Sequence, residues 1–305
     1  MNKPINNLSL HKQFNTFFDE QYIQLIKRIL NDGYVEFNER TKTEVRALPQ
    51  RTLVFNLINH VPVIGTRKIF PHVAAAELAW TLQGNQDTTF IKKYSKMWDK
   101  FEDSPNHVET AYGYRWRNRW NRDQLKDAVA ALKKDRSNRQ IFVTAWDPGE
   151  DGLLNIGKYK NMPCILGFML STIGNKLNMT VILRSSDTIV GLPYDILMYT
   201  FLLCALAKTI GVPAGKIFFI LNHAHIYANH YEIAQRMVES YEKYTILKQP
   251  IDQEFVPQSI PIPQHSVDII LNDPDAYVSE IKAIAKHSLD NIGLTPKTEF
   301  PDIII

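Results

Sequence analysis

Apolar residues recur at helical spacing through FFDEQYIQLIKRILNDG (17–33), with acids early and Gly33 after the last turn; this predicts an amphipathic helix and its C-cap. The same periodicity predicts helices over 70–84, ending at Gly84, and over 123–140, closing in a basic turn. PYDILMYTFLLCALAKTIG (193–211) is hydrophobic all round, which marks a central buried helix capped by Gly211. Further helices are expected over 228–244 and near 276–288. Strands are predicted over 141–147, 165–174, 176–187 and 216–227, the middle two joined at Gly174 and Asn175. The run 51–64 reads as two short extended pieces, and 38–46 before it as a polar loop. Residues 1–14 read as a loose arm, and 250–305 as a Pro-rich, variable C-terminal region. With no repeat and no linker, the pattern predicts one α+β domain over 1–305, a large mixed β-sheet covered by helices.

Composition narrows the function. Apolar content of 45%, charged content of 22% and a net charge of +3 describe an ordinary globular chain with no bulk electrostatic pull toward nucleic acid or membrane. The two cysteines, Cys164 and Cys204, make no disulfide framework and no zinc-site spacing, so no metal is expected. The N-terminus lacks a signal-peptide stretch, and the apolar run 196–207 is too short to span a bilayer, so a cytoplasmic protein is expected.

Polar groups cluster against this apolar background between Asn161 and His230: NMPC (161–164), VILRSSD (181–187), GLPYDI (191–196) and NHAHIYANH (222–230). Strand and helix ends carrying a thiol, an arginine, acids, histidines and a tyrosine are expected to feed one pocket. Glu77, the one acid in its helix, is either a solvent-facing residue or a functional carboxylate. KMWDKFED (96–103) and AYGYRWRNRW (111–120) are either a surface loop of stacked Arg and Trp or a ring wall for a planar ligand. Cys204, inside an apolar helix, reads as a small buried hydrophobe.

Nine ordered segments then carry a resemblance: RT-x-T (40–43), ELAW (77–80), MWD (97–99), YGYRWR (112–117), NRQIFVTAWDP (138–148), MPC (162–164), RSSD (184–187), GLPYDI (191–196) and HIYANH (225–230). Together they resemble the thymidylate synthase family from about Tyr22 to His230. The resemblance implies a sheet-to-sheet homodimer that attaches a one-carbon unit from 5,10-methylenetetrahydrofolate to C5 of a pyrimidine deoxynucleoside monophosphate. By position, Cys164 resembles the nucleophile that adds to C6, and nearby arginines are expected to depress its pKa. Arg40, Arg184 and Ser185 resemble phosphate ligands, with Arg139 supplied across the dimer interface. His225 and Tyr227 resemble the pair on the sugar 3′-hydroxyl, Glu77 the carboxylate that organises water around the base, and Tyr112 the phenol that helps remove the C5 proton. Trp98 resembles the ring lining the folate side, and Asp187 the pterin-binding acid.

Asp195 departs from the synthases, which have asparagine there facing the base. An amide matches uracil, donating to O4 and accepting from N3–H. A carboxyl accepts from the amino group of cytosine and, when protonated, donates to N3. This substitution resembles bacteriophage deoxycytidylate hydroxymethylases, which implies dCMP as substrate and water as the final acceptor. The competing reading is that Asp195 is a neutral drift from asparagine or an N-cap of the helix beginning near Pro193. Ile165, Gln140 and Leu183 also depart from the family pattern, and Lys42 and Glu44 replace glycines of its phosphate loop. Close rivals are a dUMP hydroxymethylase, a dCMP methylase and a thymidylate synthase; a rival of another class is an inactive nucleotide- or RNA-binding homologue.

Overall fold

A computed structural model describes residues 17–155, 157–247 and 260–292. The expected arm and the tail FPDIII lie outside the described residues. Helix α1 (Phe17–Asp32) buries Phe18, Tyr22, Ile23, Ile26 and Ile29 on one face, as its periodicity predicts. A hairpin follows, β1 (Tyr34–Asn38) and β2 (Thr43–Asn56). The loop expected over 38–46 is therefore only a tight turn. Val45 and Ala47 alternate with Glu44 and Arg46, so β2 starts well before residue 51, and the two extended pieces expected over 51–64 are its end, to Asn56, and a short strand at His60–Val61. The outward charges of β2 hid this alternation, and pairing with a long partner strand determines the outcome.

The remaining strands are β3 (His60–Val61), β4 (Phe142–Thr144), β5 (Ile165–Ile173), β6 (Lys176–Leu183), β7 (Ser186–Asp187), β8 (Ala214–Tyr227) and β9 (Ile260–Pro261). The main sheet runs β1-β2-β8-β6-β5-β4, antiparallel except for the central β8–β6 pair, and β7 adds to β8 in parallel. Gly174 and Asn175 both take positive φ, 63° and 56°, which the right-handed twist of the β5–β6 hairpin requires.

The sheet's two faces differ. Cross-strand register places Val143, Phe168, Val181, Phe219 and Leu53 in one row, and all are buried. The neighbouring row, on the opposite face, is Phe142, Met169, Thr180, Phe218 and Val54; Phe142 and Met169 are exposed and the rest half-buried. Helices cover the first face. α6 (Leu192–Ile210) is its centre, buried nearly all round and stopped at Gly211 in the left-handed conformation. It is the one described helix long and apolar enough to cross a membrane, and it is core.

α2 (Pro71–Gln83) packs on α6 and ends at Gly84, again left-handed. The short α3 (Thr89–Lys92) and a 3-10 turn (Met97–Phe101) lead to α4 (Tyr112–Arg117). The aromatic and basic segment is thus interior wall: Trp98, Tyr112 and Trp116 are buried. Arg115 is buried too, in a bidentate pair with Asp151 at 2.7 and 3.0 Å. α5 (Gln124–Lys134) is the expected amphipathic helix, with the basic turn after it, and α7 (Tyr231–Leu247) follows β8. α8 (Val267–Asn272), capped by Ser266, was not anticipated, and α9 (Pro274–Ile292) extends beyond the expected stretch to lie on α2.

Candidate active site

Cys164 immediately precedes β5, and its carbonyl accepts from Arg184 N–H at 2.9 Å, which extends the β5–β6 pairing by one residue. Register slips between Ile165 and Gly167, a bulge of the kind that re-aims a neighbouring side chain. The residue keeps a path to solvent, but the protein around it crowds out much of its hydration. Arg184 secures it from beneath: Nε donates to the Pro163 carbonyl at 2.8 Å, Nη2 to the Met162 carbonyl at 2.9 Å, and Nη2 lies 4.0 Å from the thiol. The guanidinium stacks over Trp146, 5.8 Å from its ring centre. Tyr112 Oη accepts from the N–H of Cys164 at 3.0 Å and of Ile165 at 3.4 Å, so helix α4 also fixes the cysteine backbone. α4 reaches this position because Gly113 lies against the Thr81 carbonyl of α2, where a Cβ would sit 2.1 Å from the oxygen.

Arg184 and Arg40 pull the Cys164 pKa down, as expected, but the net shift is upward. Loss of hydration at the site pushes the thiol up, and Arg184 and Arg40 offset only part of the rise, while Asp195 and Asp187 add to it. Tyr112 is likewise held protonated, mainly by burial and then by Cys164 and Asp195.

Three carboxyl groups meet here. Glu77 is buried on α2, which settles its two readings against the solvent-facing one; burial raises its pKa to about 7. The Trp98 indole N–H, buried without hydrogen-bond geometry to any described partner, lies close enough to Glu77 to moderate that rise. Asp187, on β7, accepts from the N–H groups of Ile189 and Val190 at 3.0 Å each. Asp195 lies in the first turn of α6, whose N-cap is Gly191, so the N-cap reading of Asp195 is wrong. Its carboxyl makes no hydrogen bond within the described residues, and burial, then Glu77 and Asp187, raise its pKa well above the ordinary carboxylate value.

The nucleotide-facing candidates divide. His225 and Tyr227, both buried near the end of β8, stand edge to face with ring centres 5.0 Å apart, and His225 pairs in register with Asp187. Ser185 is half-buried next to Arg184. Arg40 is exposed on the β1–β2 turn, which Asn38 Oδ1 organises by accepting from the N–H of Arg40 and Thr41 at 3.1 Å each. Lys42 in that turn has φ of 52°, so a lysine stands where the backbone favours glycine. Arg139 is exposed after α5 with no partner among the described residues, away from this chain's own cysteine site. Sequence reading passed over Trp146 and His223. His223 was legible in HAHIY, since alternation puts it on the same side of the strand as His225.

A sequence model of the family described as Thymidylate synthase matches residues 20–260. The chain belongs to the thymidylate synthase family. With membership comes the class of chemistry, folate-dependent transfer of a one-carbon unit to C5 of a pyrimidine nucleotide, and methylenetetrahydrofolate as co-substrate. Of this family member's described residues, no three His, Cys, Asp or Glu side chains group as metal ligands.

Proposed function

We propose that this enzyme converts dCMP to 5-hydroxymethyl-dCMP, with Asp195 as the residue that selects the base. One observation carries the reading: Asp195 sits without a hydrogen-bond partner among the described residues, beside Glu77 and Asp187, and its carboxyl holds a proton well above the ordinary carboxylate range. A neutral carboxyl meets the Watson–Crick edge of cytosine with its carbonyl toward the amino group and its O–H toward N3. When the Cys164 thiolate adds to C6, electron density moves toward N3, and Asp195 can release its proton there. Tyr112 lies against the cysteine and is placed to assist removal of the C5 proton. C5 bonds to the one-carbon unit of the co-substrate, loss of the C5 proton expels tetrahydrofolate and leaves an exocyclic methylene, and water adds to that methylene as the thiolate leaves C6, giving the hydroxymethyl product. His225 and Tyr227 take the sugar, and Arg184, Ser185 and Arg40 the phosphate.

Bound methylenetetrahydrofolate supplies the one-carbon unit. The buried Trp98 ring, its indole N–H turned toward Glu77, suits a flat polar co-substrate on that side of the pocket, with Asp187 as the candidate pterin ligand. A homodimer through the open sheet face completes the phosphate site. The exposed apolar residues Phe142, Met169 and Ile173 and the unpartnered Arg139 support it. Sedimentation of the purified chain should give twice the mass of 35.2 kDa, and a monomer at micromolar concentration would remove Arg139 from the site.

A second reading has one observation in its favour. The same neutral acid also fits uracil, with its O–H toward O4 and its carbonyl toward N3–H. Base choice then rests on proton transfer to N3, which cytosine accepts and uracil, already protonated there, does not. Incubation with methylenetetrahydrofolate and either dCMP or dUMP, with products weighed by mass spectrometry, decides among the family activities. The reading requires a gain of CH₂O on dCMP with no dihydrofolate formed. A gain of CH₂ with dihydrofolate, or reaction with dUMP alone, overturns it.

A further inference from the structure

β8 carries His223 and His225 on one side of the strand, with ring centres 5.2 Å apart. His223 Nε2 lies 3.1 Å from Glu36 Oε2 on β1, and His223 Nδ1 lies 3.3 Å from His225 Nδ1. His225 Nδ1 is also 3.4 Å from the His223 carbonyl oxygen. These contacts determine where the protons sit. A neutral imidazole has one N–H and one bare nitrogen, and an ionised carboxylate only accepts. Glu36 therefore holds the proton of His223 on Nε2, which leaves His223 Nδ1 bare. His225 Nδ1 now faces two acceptors, a bare nitrogen and a carbonyl, and must carry a proton itself. His225 Nε2 is left bare.

We propose that Glu36 and His223 act as positioning residues that fix His225 in its Nδ1–H tautomer, so that Nε2 accepts a hydrogen bond from the nucleotide's 3′-hydroxyl. This rests on the reading that His225 and Tyr227 hold that hydroxyl. The two residues then form a matched set, because burial keeps the Tyr227 phenol protonated and able to donate. A hydroxyl donates to one and accepts from the other. A 3′-phosphate oxygen, which only accepts, meets a bare nitrogen, and a 3′-deoxy carbon leaves both polar groups unpaired. The pair thus selects nucleotides with a free 3′-hydroxyl.

On balance the surroundings of His225 favour its neutral form. The charged or titratable groups facing the two rings are Glu36 on β1, Asp187 on β7 and Tyr227 on β8, while the β2 residues in register are Pro49 and Ala47. Burial lowers the His225 pKa against the pull of Asp187.

Two measurements on the whole chain test the proposal. Two-bond ¹H–¹⁵N spectra of labelled protein should show His225 Nδ1 protonated and Nε2 bare, and Glu36→Gln, whose amide can donate as well as accept, should mix the tautomers. Calorimetry with dCMP and with 2′,3′-dideoxycytidine monophosphate gives the second readout. Glu36→Gln should weaken dCMP binding about 3- to 10-fold, the range for one neutral hydrogen bond, and leave the dideoxy nucleotide unchanged. A protonated Nε2 in the wild-type chain that still prefers the 3′-hydroxyl overturns the tautomer assignment alone. Equal binding of both nucleotides by the wild-type chain overturns the sugar contact beneath it. Equal losses for both nucleotides in the variant make Glu36 merely structural and overturn its role.

Discussion

Replacing Asp195 by asparagine separates hydrogen bonding from proton transfer in this site. The side chains are nearly isosteric, and an amide can turn to accept from the cytosine amino group while donating to N3, so dCMP binding should stay within about tenfold of wild type. The amide cannot give a proton to N3. Turnover of dCMP should therefore fall about 10²- to 10⁴-fold, the usual contribution of a positioned general acid. Folding should not suffer, since the Asp195 carboxyl makes no hydrogen bond within the described residues. With Asp195 neutral, the amide replaces one uncharged group by another, so the urea midpoint should hold.

The assay is kcat and Kd for dCMP and dUMP, each across pH 6 to 9. In the wild type, dCMP turnover should fall as pH rises through the elevated Asp195 pKa, because the proton is lost from the acid. The residual activity of Asp195→Asn should lack that descending limb, and dUMP turnover should gain relative to dCMP. An Asp195→Asn protein that turns over dCMP within threefold of wild type, with the limb intact, refutes proton donation by Asp195.

Cys164→Ser should abolish turnover yet keep nucleotide affinity within a few-fold; undiminished biological function in that variant would instead revive a binding-only role. Arg115→Met should destabilise the fold by about 3–5 kcal/mol in urea titration by stranding Asp151, and Arg115→Met with Asp151→Leu should recover most of that loss. Asp19 and Glu77 both have folded pKa values raised to about 7 from 3.8 and 4.5. Their stabilising contribution is complete below about pH 4 and declines as pH rises through 7, because the unfolded chain ionises first. The double variant Asp19→Asn, Glu77→Gln should lose this decline between about pH 4 and 7 relative to wild type, and an unchanged slope would contradict the raised values.

The longer helices and the β5–β6 hairpin were legible because local signals suffice for them: periodicity in α1 and α6, left-handed stop residues at Gly84 and Gly211, and a two-residue turn at Gly174 and Asn175. The start of β2 was not, because Glu44 and Arg46 mask an alternation that only β8 completes. The burial of Trp98 and Tyr112 was not legible either, since an aromatic and basic stretch has the same composition inside or outside. Glu77 shows the same limit, its fate depending on which helices enclose α2. The site's residue types were readable in the chain; their protonation was not. Cys164 shows this most clearly, because proximity to Arg184 suggests a thiolate and the loss of hydration opposes it.

That opposition bears on why acids gather around a nucleophile that must lose a proton. Ionised, Asp195 and Asp187 raise the thiol pKa, and Glu77 and Asp187 raise that of Asp195. Groups so linked titrate as a set, not one by one. Adding a proton to Asp195 removes its charge, and with it one of the forces holding the proton on Cys164. The neutral acid and the thiolate are therefore mutually favourable, and each is disfavoured beside the other's alternative form. On the proposed reading this is also the reactive combination, with thiolate for C6 and acid for N3. The pH optimum should then belong to the pair, and substituting Asp195 should shift the thiol's titration as well as the base preference. Iodoacetamide modification of Cys164 as a function of pH reads this directly: in Asp195→Asn the reaction should begin at lower pH than in wild type. An unshifted profile would uncouple the two groups and leave Asp195 with a role in base contact alone.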